Sequence, residues 1–173
     1  MVKEIERTIK SAAVLSDDDK YRYKLTRIWD SDKPNATVVM LNPSKADMLK
    51  TDRTVMNVTN FLVDNGYGAI TIVNLFAYRV TDPKFLNQRD ELHESINDDY
   101  LREAFYDADL IIVAWTRDKD KYVIRKREVE NLLLGYRNKI KCFEDDKGKK
   151  LRHPRDLGAG WKLVDYEFMF VEI

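Results

Sequence analysis

Thr37–Asp47 reads TVVMLNPSKAD, and the way this stretch stops decides the fold. Five residues suited to the middle of a sheet, Thr37 to Leu41, run straight into Asn42, Pro43 and Ser44. All three favour turns, and proline has no amide to give to a ladder. An open α/β sheet ends its strands in this way at a ligand crevice. The stretch therefore predicts a buried strand and a site just beyond it.

The pattern recurs downstream. GAITIVNLF carries a second buried strand at Ala69 to Val73, LIIVAW a third at Leu110 to Trp115, and IKCF a fourth at Ile140 to Phe143. Between the first two, Thr51 or Asp52 can cap a helix whose apolar positions Val55, Val58, Phe61 and Leu62 share one face, and Asn65-Gly66 supplies its stop. A short helix is expected about Ile96 to Phe105. A longer one, capped by Asp118, should carry Val129, Leu132, Leu133 and Tyr136. Strands alternating with helices predict a three-layer α/β/α domain with a mostly parallel central sheet of about four strands. The segment Leu75 to Glu94, with Asp82-Pro83, is longer than a connector requires, and loops of that length are usually functional.

The ends of the chain are less decisive. YRYKLTRIW, Tyr21 to Trp29, alternates like a half-buried strand until Arg27 and Ile28, where a bulge or the strand's end is expected. Residues 1–20 read as a leading segment closed by the turn SDDDK, and 158–173 as a C-terminal extension of one or two strands pairing at an edge with Tyr21 to Trp29. No domain boundary interrupts 1–173. At that length a single core can bury roughly 70% of the extended chain's surface.

Composition narrows the function. Thirty basic residues balance thirty acidic ones, so affinity for nucleic acid has to come from a local patch. The single cysteine, Cys142, has no disulfide partner and falls in an apolar strand, where a buried inert thiol is the usual finding. The first ten residues have no apolar core, and no apolar run approaches the ~18 residues of a membrane span, so a cytoplasmic protein without membrane contact is expected. His93 and His153 are the only histidines, and neither has the spacing of a zinc site; no metal and no cofactor are expected. Oligomeric state leaves no mark on the sequence.

In a parallel sheet the residues just after each apolar run converge. The first run delivers Asn42, Pro43, Ser44 and Asp47; the second Asn74, Arg79 and Asp82; the third Trp115, Thr116 and Arg117; the fourth Arg152, His153 and Pro154. Several have two readings. Asp52 is a helix cap or a ligand group, and Arg53 then stands at a helix N-terminus, where it can meet an anion. Asn74 either satisfies buried backbone or lines the site. Arg79 either holds a phosphate or pairs with Asp82.

LNPSKAD, TDRT and VNLFAYRVTDP, with YRYKLTRIWD upstream and RHP downstream, resemble the family catalogued as domain of unknown function sixteen-forty-three, found in bacteria and their viruses. The resemblance spans Tyr21 to Pro154. That family's usual Trp-Gly is Trp115-Thr116 here, and its usual His-Pro-Leu-Tyr-Leu is His153-Pro154-Arg155-Asp156-Leu157. More distantly, the Asn-Pro turn after the first strand and the His-Pro loop after the last are similar to the uracil-DNA glycosylase superfamily. That resemblance implies a glycosylase-like fold and a nucleotide, nucleobase or nucleic-acid ligand, with cleavage of an N-glycosidic bond as the reaction. Asn42 would then orient water, Ser44 and Asn74 would hold the base edge, and His153 would stabilise the departing base, with Asp47 the one candidate base. The alternative is a non-catalytic module that binds a nucleotide or a phosphate.

Overall fold

The computed structural model describes residues 1–116, 118 and 120–171, so Arg117 lies outside the described residues. Those residues hold seven strands: β1 (Lys10–Leu15), β2 (Arg22–Ile28), β3 (Asn35–Met40), β4 (Ala69–Asn74), β5 (Leu110–Val113), β6 (Ile140–Glu144) and β7 (Lys162–Asp165). With them stand three α-helices, α1 (Arg53–Asp64), α2 (Leu92–Asp107) and α3 (Val123–Leu133).

One sheet takes all seven strands, in the order β1-β2-β4-β3-β5-β6-β7. The four apolar runs lie side by side and parallel at its centre. The joints β1–β2, β2–β4 and β6–β7 are antiparallel. The sheet as a whole is therefore mixed, not mostly parallel as expected. The cause is the flanks. β1 reaches β2, and β6 reaches β7, without a crossover helix, and such returns are antiparallel. Residues 1–20, read as a leading segment, supply an edge strand of their own. The C-terminal strand pairs with β6, at the opposite edge from Tyr21 to Trp29, because β6 is its neighbour in the chain. β2 does end at Ile28, but its irregular register lies at the other end, opposite Val14 and Leu15.

Strand alternation divides the core in two. Val38, Met40, Ile70, Ile72 and Ile112 face α1, where Val55, Val58 and Leu62 meet them. Val39, Val73, Ile111 and Val113 face α2 and α3, packing on Leu101, Phe105, Val129 and Leu133. The central strands read as unbroken apolar runs because they are covered on both sides. On the α1 side a second helix is missing among the described residues. Leu157, Trp161 and Leu163 from the chain around β7 pack there in its place, leaving a groove of about 700 Å³ between them and the α1 residues Asn57, Asn60 and Phe61.

Helix ends follow local chemistry. Asp52 caps α1 by accepting from the Val55 amide at 2.8 Å, and Gly66 takes a φ of 83° just past its end. α3 starts at Val123 and not after Asp118, whose side chain accepts from the Asp120 amide instead; Tyr122, at a φ of 56°, is the break. Tyr136 falls in the 3-10 turn Leu134–Lys139. Cys142 is buried, and burial pushes its thiol up.

The final segment is fixed by one carboxylate. Glu130 of α3 is wholly buried and accepts from the Tyr166 hydroxyl at 2.5 Å and from the amides of Met169, Phe170 and Val171 at 3.0, 2.8 and 3.0 Å. Among the described residues no helix is long and apolar enough to cross a membrane.

Candidate functional site

Counted alone, the four parallel strands stand in the spatial order second, first, third, fourth. The chain leaves β3 for β4 on one side and reaches β5 on the other. Such a reversal opens a crevice at the strand carboxyl ends, where the two connections part. A cleft of about 340 Å³ lies there. One wall is Met40, Leu41, Asn42 and Ser44, running out of β3, with Thr54 from the start of α1. Another is Val80, Thr81 and Pro83, beyond β4. Thr116 follows β5, and His153, Arg155 and Asp156 close the remaining side.

The polar groups of this cleft are held in defined states. Asn42 Nδ2 donates to the Val80 carbonyl at 2.6 Å and to the Pro43 carbonyl at 3.2 Å, so what it can offer a ligand is its oxygen, an acceptor. Ser44 Oγ donates to Asp52 Oδ2 while the other oxygen of Asp52 caps α1. His153 Nδ1 accepts from the Arg155 amide at 3.2 Å, which leaves its proton on Nε2 as a donor. Burial, and next the Arg155 charge, hold the His153 pKa below its ordinary value against the opposing pull of Asp156 and Asp52. The imidazole is thus a neutral donor at neutral pH.

A family model described as Protein of unknown function (DUF1643) matches residues 22–155. The chain belongs to this family. The DUF1643 span takes in β2 through β6 and the cleft side chains other than Asp156, whereas β1 and β7 lie outside it. No curated protein and no solved structure matches the chain.

Within the DUF1643 span, Thr116 is set apart by its backbone. Its φ of 79° is left-handed, a region that a β-branched residue enters only with strain. The turn after β5 is thus built as glycine would build it, without the glycine. Thr116→Gly is expected to raise stability by about 1 kcal/mol, as read by urea unfolding. No gain would mean that other contacts of Thr116 offset the strain.

The sequence-predicted residues divide. Asn42, Ser44 and His153 share the cleft. Pro43 is buried behind it, and Asp52 supports it through Ser44. Asp47 closes a turn, accepting from the amides of Leu49 and Lys50 at 2.9 and 2.7 Å, bonds that lower its pKa; it does not line the cleft. Arg53 is exposed and pairs with Asp156 at 3.6 Å. Arg79 neither pairs with Asp82 nor lines the cleft: its Nη1 donates to the Asp19 carbonyl at 3.0 Å. Asp82 caps the 3-10 turn Pro83–Gln88 and pairs with Lys84. Arg152 turns away to Asp145, over the Trp161 ring. Asn74 is buried one strand over from the cleft, in register with Met40.

Sequence reasoning missed Val80, Thr81, Arg155 and Asp156. Their signal was position, in the over-long segment after β4 and directly after His153-Pro154. It also missed Arg22. By alternation with Tyr21 and Tyr23 that residue should face solvent, but the irregular register at the start of β2 buries all three.

Proposed function

We propose that the cleft binds a nucleobase or nucleotide and that its chemistry is hydrolysis of an N-glycosidic bond to a modified base. The observation that carries this reading is the meeting of an acceptor, the Asn42 oxygen, with a neutral donor, His153 Nε2–H, in one cleft at the strand carboxyl ends. A base edge offers both complements. Asn42 would hold the attacking water, and His153 would donate to the base as negative charge gathers on it, a role suited to a donor already in place. The base must leave its stack to enter. The Asn-Pro turn and the His-Pro loop support a glycosylase-like topology for the same reason.

A second reading, a binding module without catalysis, is favoured by one observation. The carboxylates at the cleft are already engaged, Asp52 by Ser44 and Val55 and Asp156 by Arg53. Incubating the protein with oligonucleotides carrying uracil, hypoxanthine or xanthine decides between them. Abasic sites support hydrolysis. Inactivity across the panel with nucleotide binding retained in calorimetry supports the module, and absence of both sinks the nucleotide reading.

The lowered pKa of His153 gives a pH dependence. The unfolded chain takes up this proton near 6.5, the folded protein only at lower pH. The stability contribution is therefore fully present above the ordinary histidine value and is lost as pH falls through the folded value. His153→Gln should flatten this dependence in thermal titrations across pH.

A further inference from the structure

Arg22 is 1% exposed and is enclosed without a counter-ion. Among the described residues no carboxylate pairs with it, and its one side-chain bond runs from Nη1 to the Ala46 carbonyl. Nε and Nη2 are buried and bonded to nothing in the described structure. Those two nitrogens form the edge of a guanidinium that presents parallel N–H groups to an oxyanion. Closing off a cation in this way is costly unless something satisfies it.

Asn74, also 1% exposed, repeats the observation, since neither Nδ2 nor Oδ1 of its amide has a partner. By strand alternation it shares the α1 face of the sheet with Ile70 and Ile72. Arg22 meets that face too, through the β3–α1 loop that carries Ala46. The Arg22 amide bonds the Ala77 carbonyl, just past the end of β4, so both side chains belong to the carboxyl end of that strand. Met40, the register partner of Asn74, lines the cleft. Neighbouring strands lie about 4.8 Å apart, so Asn74 stands one strand from the cleft-lining Met40, and Arg22, on β2, one strand farther out, reaching toward it beneath the β3–α1 loop. Burial first, and then the charge of Arg79, pull the Arg22 pKa down to about 10, against the opposing effects of Asp52 and Asp47.

We propose that Arg22 and Asn74 form an oxyanion subsite beside the cleft that receives the phosphate monoester of a nucleotide whose base lies between Asn42 and His153. The Nε and Nη2 edge of Arg22 takes two phosphate oxygens, and Asn74 Nδ2 donates to a third. The β3–α1 loop is the roof. It has no regular structure, Leu49 at its tip is 94% exposed, and Arg27 holds it from below through Thr51 and the carbonyls of Asp47 and Lys50, so entry of the anion requires this loop to shift. The nucleotide part of this assignment rests on the reading of the cleft given above, while recognition of the anion rests on Arg22 and Asn74 alone.

Thermal shift and calorimetry test the two parts separately. Inorganic phosphate should raise Tm against chloride at equal ionic strength, and it should move the Nε–H resonance of Arg22. A nucleoside 5′-monophosphate should bind at least about tenfold more tightly than its nucleoside, and Arg22→Lys, which keeps the charge and loses the fork, should erase that advantage. Phosphate that changes neither Tm nor the resonance overturns the subsite, even where nucleosides bind. Phosphate binding with no added affinity from a nucleoside leaves the subsite standing and removes the nucleotide reading. If Arg22→Lys does not fold, the wild-type resonance and Asn74→Leu decide: a monophosphate advantage left intact by Asn74→Leu, or an unmoved Arg22 signal, rejects the proposal.

Discussion

Glu130→Ala is expected to cost about 3 to 5 kcal/mol of folding stability, the range found when one partner is cut from a buried charged network. The carboxylate accepts four hydrogen bonds where water cannot reach, and its removal strands the Tyr166 hydroxyl and three amides of the final segment. Lys126, one turn earlier and also buried, loses one of two nearby negative charges that favour its protonated form; among the described residues its ammonium then keeps the charge and carbonyl of Asp118 and the face of Phe170. Urea unfolding measures the loss, and amide exchange at Met169 to Val171 should accelerate well before global unfolding. A cost under about 1 kcal/mol would show that these bonds are replaced by water as the tail detaches.

The second large effect concerns chemistry. His153→Ala should reduce abasic-site formation by about 100-fold, the loss typical of one preorganised donor to a developing anion. The fold should survive, since the bond that Nδ1 makes is to an amide in its own loop. Asn42→Ala should also abolish turnover, but it releases the Val80 carbonyl, so its readout must include a melting curve. An His153→Ala protein with wild-type turnover would place the chemistry elsewhere in the cleft, or with none of these residues.

The parallel centre of the fold could be read from the chain because each of its strands is covered on both faces, and that covering leaves a continuous apolar signature at Val38, Ile72 and Ile112. The flanks were harder to read. KSAAVL at β1 is small and half-exposed, and nothing local in it distinguishes an edge strand from a loop. The site was legible where backbone position dictates it, as at Asn42 and His153, which directly follow strand ends or open a short loop. It was illegible where a side chain's direction depends on another strand, as at Arg22, whose burial follows from a register slip against Leu15. Arg79 and Arg152 show the opposite error: arginines near a strand end whose long side chains reach away to Asp19 and Asp145.

The unequal cover of the sheet has a consequence for motion. Two helices lock one face, whereas on the other α1 meets the β7 region across a groove, and its polar ties there include Asn57, which donates to the carbonyls of Pro154 and Arg155 at 3.2 and 2.8 Å, and the exposed pair of Arg53 with Asp156. A region that opens more readily than the rest exchanges its amides sooner, so faster exchange along Asn57 to Phe61 than along the two helices of the closed face is the expected mark of this groove. Arg155 and Asp156, which line the cleft, are fastened to α1 by Asn57 and Arg53, so a loosening of that joint would be felt at the His153 wall of the cleft.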